Sequence, residues 1–327
     1  MLLTIVVLSY NRPDQVRRIL TSLTGFSSPD FSLVVKDDVS PLQERIVAVV
    51  NDCSRSLSFP VSIHCNKLNL GYDKNLLDAF EIVHSKYLML LSDDDYLDGG
   101  SLGKLITELQ RREHMLYFTP YLERGTLRRT QNSGYSLNKF SDVIYNSILF
   151  SGLVFDVDSV RRLNLDRDFL SNCIYTQVYL AGRIVFQEGA FGFLPSGVLK
   201  LGGDGENFFG LNQSATNSDL LSNRKKITSN LIYQRFLLRV VDAIADDTDP
   251  LVAASFSREY RKRLLAYGLR VRAEGFRPYA CFVKEFLKGA SLRFIDLFFL
   301  FFTVVFVPKS IARGIYEFGV RRFRRAG

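Results

Sequence analysis

Three adjacent carboxylates form the group in this sequence best suited to chemistry. Asp93, Asp94 and Asp95 come directly after YLMLL, an apolar run typical of a buried strand. Neighbouring carboxylates repel one another, so a divalent cation among them would stabilise them at a strand end. Mg²⁺ and Mn²⁺ prefer oxygen ligands and usually complete their coordination with water and substrate phosphates. The alternative is a solvated acidic loop that leads into a helix near Ser101.

Polar residues also follow three other predicted strands. These strand ends are Ser9–Arg12, Asp37–Ser40 and Cys65–Asn69, and the Asp-rich turn closes a fourth strand. In open parallel sheets, ligands bind beyond the carboxyl ends of the strands. We therefore expect the chemistry of this protein at that edge of its sheet.

The elements that position these residues alternate regularly over the first hundred residues. Apolar runs predict strands at Leu3–Ser9, Phe31–Lys36, Val61–Cys65 and Tyr87–Leu91, and an amphipathic helix follows each of them. This pattern predicts an α/β fold with a mostly parallel sheet covered by helices on both faces. Further along, the sequence predicts a helix near Asn172–Gly182 and shorter strands at Met115–Tyr121, Ser151–Asp156 and Ile184–Gly189.

Length and charge divide the chain into two parts. Its 327 residues suit about two domains, and we expect the α/β domain at 1–215 and a helical region at 216–327. A stretch rich in Gly, Asn and Ser, at 201–218, predicts a loop between them. Residues 251–327 carry 16 Lys and Arg against 5 Asp and Glu, a net charge of +11, whereas residues 1–250 have a net charge of −3. A basic tail on a near-neutral body indicates contact with an anionic surface.

An amphipathic, basic segment at about 291–327 favours the membrane interface as that surface. The apolar run at 294–307 is 14 residues long and contains Asp296, which is too short to span a bilayer. Ile311, Ile315 and Phe318 then recur at helical spacing among several Lys and Arg residues, which suits a helix lying in the interface. The alternative is a core helix followed by a solvated basic tail.

Several classes of protein are disfavoured. No GxGxxG follows the first strand and no GxxxxGK[ST] occurs, which argues against dinucleotide dehydrogenases and P-loop enzymes. The carboxylates at the strand ends would repel a nucleic-acid backbone, so we expect no nucleic-acid partner. The four cysteines lack metal or disulfide spacing and the opening residues lack a secretory pattern. Buried thiols and a cytoplasmic body are therefore expected.

Three segments resemble family 2 glycosyltransferases of the GT-A fold: TIVVLSYNRPDQVRRILTSL, VVKDDVS and NLGYDKNLLDAFEIVHSKYLMLLSDDDYL. The resemblance implies that the first two segments hold the base and ribose of a nucleotide sugar. It also implies that Asp93, Asp94 and Asp95 hold Mg²⁺ or Mn²⁺ on the diphosphate. The implied nucleotide-sugar residues are Ser9, Tyr10, Asn11, Arg12, Asp37, Asp38, Asn69, Gly71, Lys74 and Asp93.

Within that family, the O-antigen abequosyltransferases are the most similar subgroup. Three segments carry this similarity: GYDKNLLDAFE, SGLVFDVDSVRRL and NCIYTQVYLAGRIV. This similarity implies a CDP-activated 3,6-dideoxyhexose as donor and an oligosaccharide on undecaprenyl diphosphate as acceptor. It also implies a peripheral position on the cytoplasmic face of a bacterial inner membrane. The alternatives are a UDP- or dTDP-sugar for another surface polysaccharide, and a sugar-nucleotide pyrophosphorylase.

The sequence departs from the family at the position of the catalytic base. Inverting members carry a Glu-Asp pair on a later helix, and Thr176-Gln177 stands at the matching place. Neither side chain can act as a general base near neutral pH. Either another carboxylate serves, from the candidates Asp166, Asp168, Glu188 and Asp204, or the transfer is retaining. In the retaining case the leaving diphosphate takes the proton and Gln177 lies near the reacting centre.

Overall fold

The computed structural model describes residues 1–111, 114–123, 126–129, 140–189, 191–202, 224–288, 301 and 304–325. The chain divides into two compact units. The first comprises Met1–Gly205 with Asp246–Thr248, and the second comprises Glu206–Ala245 with Asp249–Gly327. The loop expected at 201–218, and the domain boundary expected at 215, lie outside the described residues except for Leu201 and Gly202.

A seven-stranded sheet forms the centre of the first unit. Its strands lie in the order β3-β2-β1-β4-β8-β5-β9, and all neighbours pair in parallel except β8, which is antiparallel to both of its neighbours. A second sheet has three strands in the order β10-β6-β7. The strands are β1 (Leu3–Ser9), β2 (Phe31–Asp37), β3 (Val61–Cys65), β4 (Tyr87–Ser92), β5 (Leu116–Phe118), β6 (Tyr121–Glu123), β7 (Thr126–Arg128), β8 (Leu153–Asp156), β9 (Gly192–Phe193) and β10 (Leu199–Lys200).

Helices cover this sheet, so the predicted α/β fold is confirmed. All seven residues of β1 are buried, which accounts for its continuous apolar sequence. The apolar positions of the first helix, Val16, Ile19 and Leu20, are buried in the same core. The helices are α1 (Pro13–Ser22), α2 (Gln43–Ser54), α3 (Gly71–Ile82), α4 (Gly99–Leu109), α5 (Phe140–Ser147), α6 (Val157–Arg161), α7 (Arg167–Leu170) and α8 (Thr176–Glu188).

Two local predictions in this unit are wrong. The strand expected at 184–189 is the last part of α8, because Ile184 and Val185 are the buried face of a helix that continues to Glu188. That helix ends at Gly189, whose φ of 69° gives the left-handed C-terminal conformation. The single strand expected at 115–121 is two strands, β5 and β6, in different sheets.

All four cysteines are free, in agreement with the absence of disulfide spacing in the sequence. Only Cys173 is buried, whereas Cys53, Cys65 and Cys281 are half-buried. The prediction of buried thiols therefore holds for Cys173 alone.

The second unit is helical, with α9 (Arg224–Asp247), α10 (Pro250–Glu274), α11 (Phe276–Leu287) and α12 (Lys309–Arg325). Phe301 is fully buried, and its ring centroid lies 5.0 Å from that of Phe282 and 5.1 Å from that of Phe286. Gly268 of α10 makes room for these rings, since a Cβ there would lie 2.9 Å from Phe301. This part of the Phe-rich run therefore packs in a protein core, as the core-helix alternative expects.

Within the described residues, no helix combines the length and the apolar character needed to cross a bilayer. Residues 294–300 and 302–303 of the Phe-rich run lie outside the part of the chain that the structure describes.

Candidate functional site

The pairing of β1 with β4 brings the first polar strand end to the Asp-rich turn. The backbone N–H of Tyr10 donates to Asp93 Oδ2 at 3.1 Å. Arg12 Nη1 donates to Asp93 Oδ1 at 2.7 Å and lies 3.5 Å from Asp94 Oδ2. Residues about eighty positions apart in the chain thus form one charged cluster, as the sequence predicts for parallel strand ends.

Two carboxylates of this cluster are buried. Asp93 is 4% exposed and Asp95 is 5% exposed, whereas Asp94 is half-buried. Burial raises the pKa of Asp93 to about 6, although the charge of Arg12 opposes the increase. Burial likewise raises the pKa of Asp95 to about 6, and a hydrogen bond from Ser151 opposes it. Burial penalises the ionised form of a carboxyl group, so a cation bound here would relieve that penalty.

Two buried polar atoms beside the cluster have no hydrogen-bond partner among the described residues: Ser9 Oγ and Asn11 Oδ1. Ser9 is 2% exposed at the carboxyl end of β1, and Asn11 has a left-handed backbone with φ of 63°. The N–H of Asn11 donates to Ser40 Oγ at 2.8 Å, which holds this turn against the end of β2. Buried polar atoms are nearly always paired in proteins, so these two indicate a place for a ligand or water.

Asp37 and Asp38 are both buried, and both accept hydrogen bonds from the protein. Asp37 accepts from the backbone N–H of Ser40 at 3.0 Å and from Gln43 Nε2 at 2.8 Å. Asp38 Oδ1 accepts from the N–H of Leu70 at 2.7 Å, and its Oδ2 from the N–H of Gly71 at 2.8 Å. These bonds fix the two loops that border the cluster, and a base or ribose role for these carboxylates stays a prediction.

The loop before α3 holds the other residues expected to bind a nucleotide. Asn69, Gly71 and Lys74 are all exposed. Gly71 has a φ of 72°, which glycine adopts without steric cost, and this turn directs its N–H at Asp38. The loop and the Asp-rich cluster therefore border the same edge of the sheet, with Lys74 in solvent.

The donor set fits a divalent cation that also binds substrate phosphates. Among the described residues, no group of three or more His, Cys, Asp or Glu side chains is arranged to hold a metal ion. Arg12 pairs closely with Asp93 at 2.7 Å and more loosely with Asp94 at 3.5 Å, whereas Asp95 accepts from neutral groups, the N–H of Gly202 at 3.2 Å and Ser151. Mg²⁺ and Mn²⁺ are commonly held by one or two carboxylates together with phosphates, which suits Asp94 and Asp95.

Three residues that support this cluster were not identified from the sequence. The hydroxyl of Ser151 accepts from the N–H of Ser92 at 3.0 Å and is hydrogen-bonded to Asp95. Arg129, 6% exposed, donates from Nη1 to the Ser151 carbonyl at 2.7 Å and so fixes the position of that residue. At Gly202 a Cβ would lie 1.8 Å from the Asp94 carbonyl, so only glycine fits. No local motif marks these residues, because tertiary packing alone brings them to the cluster.

Gln177 lies in the first turn of α8 and is 2% exposed. Its Oε1 accepts from the Tyr72 hydroxyl at 3.0 Å, and its Nε2 donates to the Ile148 carbonyl at 3.1 Å. Tyr72 follows Gly71 at the loop bound by Asp38, so Gln177 is close to the candidate site. Both the oxygen and the nitrogen of its side-chain amide are thus hydrogen-bonded within the protein.

Within the described residues, the carboxylates expected as alternative bases do not lie at the cluster. Asp166 and Asp168 are exposed on α7, next to Arg167, which pairs with Glu81 at 2.7 Å. Glu81 lies ten residues beyond Gly71 on α3, about 15 Å further along the helix axis. Glu188 is the last residue of α8, about 16 Å along the axis from Gln177, and its side chain is not described. Asp204 lies outside the described residues.

Asp73 is a buried carboxylate that sequence reasoning missed. Its Oδ1 accepts from Thr176 Oγ1 at 2.8 Å and its Oδ2 from the N–H of Ile174 at 3.0 Å. Burial raises its pKa, although these hydrogen bonds oppose the increase. Asp73 thus holds the start of α8 against α3 and fixes the position of Gln177.

Comparison with known proteins agrees with this geometry. The family model described as Glycosyl transferase family 2 matches residues 4–161, which contain the whole charged cluster. A Haemophilus influenzae protein described as an uncharacterized glycosyltransferase is 35% identical over 114 residues, covering 35% of this chain and 36% of the relative. Abequosyltransferase RfbV of Salmonella typhimurium is 25% identical over 195 residues, covering 58% and 54%. The matches thus span 36% and 54% of the lengths of these two curated relatives.

Two solved structures share the fold. TarS 1–349 of S. aureus in complex with UDP-GlcNAc superposes with a TM-score of 0.57 at 13% identity, over 87% of this chain and 81% of that one. The mannosyltransferase PcManGT of Pyrobaculum calidifontis, in complex with GDP-Man and Mn²⁺, gives a TM-score of 0.55 at 12% identity, over 96% and 83%. Residues 4–161 therefore match the model of glycosyl transferase family 2, and the fold that contains them is an α/β fold of the GT-A type.

Proposed function

We propose that this protein is a glycosyltransferase that moves a sugar from a nucleoside diphosphate to an acceptor hydroxyl. The observation that carries the proposal is the pair of unpartnered buried atoms, Ser9 Oγ and Asn11 Oδ1, beside the buried carboxylates Asp93 and Asp95. A nucleotide offers hydroxyl and amide groups for the first pair and a charged diphosphate for a cation held by the second. The family match over the same residues supports this reading.

We further propose a CDP-linked 3,6-dideoxyhexose, with abequose as the first choice, as the donor. The acceptor would be an undecaprenyl-diphosphate-linked oligosaccharide in O-antigen and lipopolysaccharide synthesis. The supporting observation is the similarity to abequosyltransferase RfbV, which extends over 58% of this chain. A UDP- or dTDP-sugar for another surface polysaccharide is the alternative, and the fold shared with the UDP-GlcNAc complex of TarS favours it.

In this reaction the bond between the anomeric carbon and the diphosphate oxygen breaks, and a bond from the acceptor oxygen to that carbon forms. Arg12 lies at the cluster, where its charge would attract the diphosphate. Mg²⁺ or Mn²⁺, if held by Asp94 and Asp95, would neutralise the negative charge that develops on the leaving diphosphate. Because Gln177 cannot take a proton, we propose a retaining transfer in which the acceptor proton passes to that diphosphate.

A transfer assay tests the proposal. The full chain is incubated with Mn²⁺, a polyprenyl-diphosphate oligosaccharide and, in separate reactions, a CDP-, UDP-, GDP- or dTDP-sugar. Mass spectrometry of the acceptor should show the mass of one added deoxysugar with the CDP donor. A product from a UDP- or dTDP-sugar alone would support the glycosyltransferase activity and exclude a CDP-sugar as the donor. No product with any donor would contradict the proposed function.

We also propose that α12 places the protein on the cytoplasmic face of the inner membrane as a peripheral protein. Ile311, Ile315 and Phe318 are 52%, 48% and 68% exposed along one stripe of the helix, and Phe306 just before it is 75% exposed. Buried Ala312 lies on another side of the helix. An exposed apolar stripe on a basic helix suits an anionic bilayer surface.

Replacing the three stripe residues of α12 (Ile311→Gln, Ile315→Gln and Phe318→Gln together) should weaken binding to anionic vesicles at least about tenfold. Each buried apolar side chain contributes about 1.5 kcal/mol or more, and a tenfold change corresponds to about 1.4 kcal/mol. Sedimentation with phosphatidylglycerol-containing vesicles measures the change. The matched control, Leu251→Gln with Phe276→Gln, removes two other exposed apolar side chains of the same unit. Equal sedimentation of both variants and the native chain would contradict the role of α12.

A further inference from the structure

Two aromatic rings, those of Tyr72 and Phe150, pack together next to the charged cluster, and Gln177 links Tyr72 to the backbone of Ile148. We call the three residues Tyr72, Ile148 and Phe150 the apolar wall. The ring centroids of Tyr72 and Phe150 are 5.4 Å apart and the rings are tilted by 59°. Both rings are half-buried, and Ile148 is 36% exposed. Each of the three side chains is thus partly open to solvent.

Hydrogen bonds hold Tyr72 and Ile148 of the wall in place. The Tyr72 hydroxyl donates to Gln177, whose Nε2 donates in turn to the carbonyl of Ile148. Burial raises the pKa of the Tyr72 hydroxyl, and the neighbouring charge of Asp73 adds to the increase, so the hydroxyl keeps its proton. The Tyr72 hydroxyl and the Ile148 carbonyl are thus engaged within the protein, which leaves the rings and the alkyl group for contact with a ligand.

One end of the wall is tied to Asp38, which borders the charged cluster, and the other end is tied to the cluster itself. Gly71, the residue before Tyr72, donates its N–H to Asp38 Oδ2 at 2.8 Å. Ser151, the residue after Phe150, is hydrogen-bonded to Asp95 and to the N–H of Ser92. A sugar attached to a diphosphate at Asp95 lies within a few ångströms of that diphosphate, so the wall is in place to contact it.

We infer that the apolar wall is the specificity-determining surface for the donor sugar and selects a deoxygenated hexose. The inference rests on the proposed function and goes beyond it by assigning the residues that recognise the sugar. Aromatic rings pack well against C–H groups, whereas a sugar hydroxyl turned towards the wall loses its water without gaining a partner. An apolar pocket typically rejects an added hydroxyl by up to about a hundredfold. Gln177 is a positioning residue, which holds Tyr72 and Ile148 in the wall.

The test compares two donors that differ only in hydroxyl groups: CDP-abequose and CDP-galactose, the same ring with two more hydroxyls. Isothermal titration calorimetry with Mn²⁺ gives the dissociation constants for both, and for CDP alone. The native chain should bind CDP-abequose at least about tenfold more tightly than CDP-galactose. Phe150→Ser should reduce this preference to within about threefold, because its hydroxyl can pair with a sugar hydroxyl. Its affinity for CDP alone should stay the same.

Two further variants keep the test decisive if Phe150→Ser folds poorly. Tyr72→Phe retains the ring but loses the bond to Gln177, and Gln177→Leu loses both bonds of the amide. Each should lower the preference for the deoxysugar and leave the affinity for CDP unchanged. The control, Phe169→Ser, alters a half-buried ring on α7 and should change neither.

The possible failures are distinguishable. If CDP binds but the native chain shows no preference for CDP-abequose, the inference is wrong and the proposed function stands. The inference is also wrong if the variants weaken both sugar nucleotides by the same factor. If neither CDP nor any other nucleoside diphosphate binds, the proposed function fails and the inference fails with it.

Discussion

Asp95→Asn should abolish sugar transfer, with a loss of at least about a thousandfold, while the protein stays folded. Asn keeps the size and one acceptor oxygen of Asp but cannot carry the negative charge that a divalent cation needs. A thousandfold loss corresponds to about 4 kcal/mol of transition-state stabilisation, within the range for charge neutralisation by a bound metal. Transfer rates of the purified variant measure the effect.

The same substitution should not destabilise the fold greatly. Burial raises the pKa of Asp95 to about 6, so its ionised form, which predominates at pH 7, is less favourable in the folded protein than in the unfolded chain. A carboxyl whose pKa rises on folding contributes stability below its unfolded pKa and loses that contribution as the pH rises through its folded pKa. At pH 7 and above, the neutral Asn therefore avoids an electrostatic penalty that the native Asp incurs.

Asp98→Asn is the matched control for Asp95→Asn. Asp98 lies three residues further along and caps α4 by accepting from the N–H of Ser101 at 2.8 Å. Asn caps helices about as well as Asp, so this variant should keep both its stability and its activity. If Asp95→Asn retained activity in the presence of EDTA, the assignment of Asp95 to a metal would be wrong.

Arg12→Ala should lower the stability of the first unit by about 3 kcal/mol at pH 7. Arg12 is 11% exposed in its side chain and pairs with Asp93 at 2.7 Å, so its removal leaves a buried carboxylate without a countercharge. Removing one partner of a buried ion pair costs about 3–5 kcal/mol. For a unit of this size, that loss corresponds to a thermal midpoint roughly 6–12 °C lower.

The pH dependence separates this cause from a simple loss of packing. Without Arg12, the pKa of Asp93 rises further above its ordinary value, since the charge of Arg12 now holds it down. The penalty should therefore be largest above pH 7 and should shrink as the pH falls through the raised pKa and Asp93 takes up a proton. Adding Asp93→Asn to Arg12→Ala should restore much of the stability at pH 8.

Arg17→Ala provides the control on the same helix, because Arg17 is exposed and should change stability by no more than about 0.5 kcal/mol. A penalty for Arg12→Ala that is the same at pH 5 and pH 8 would contradict the electrostatic account. So would a double variant that is no more stable than Arg12→Ala alone.

The sequence predicts the first four strands well for a physical reason. β1 and β4 are short, continuous apolar runs, and a strand that is buried on both faces can hardly have another pattern. Their parallel pairing then brings Arg12 to Asp93 without any further assumption. The region after α5 is harder to predict, since a β-branched pair such as Ile184 and Val185 suits a buried strand and a buried helix equally.

The charged residues of the candidate site are predictable, but their supports are not. Asp93 and Asp95 stand out in the sequence because adjacent carboxylates after an apolar strand are unusual. Ser151, Arg129 and Asp73 act through contacts with residues that are distant in the chain. Periodicity and motifs carry no signal for such contacts, and only the folded arrangement reveals them.

The most direct test of the central claim is whether a nucleoside diphosphate binds at the Asp-rich cluster together with a metal ion. Thermal unfolding is measured with CDP, UDP, GDP and dTDP, each with Mn²⁺ and with EDTA, for the native chain and for Asp95→Asn. A ligand at a hundredfold excess over its dissociation constant stabilises by about 2.7 kcal/mol. CDP with Mn²⁺ should therefore raise the midpoint of the native chain by about 5–10 °C. It should leave that of Asp95→Asn unchanged. The absence of a shift with all four nucleotides would contradict the claim.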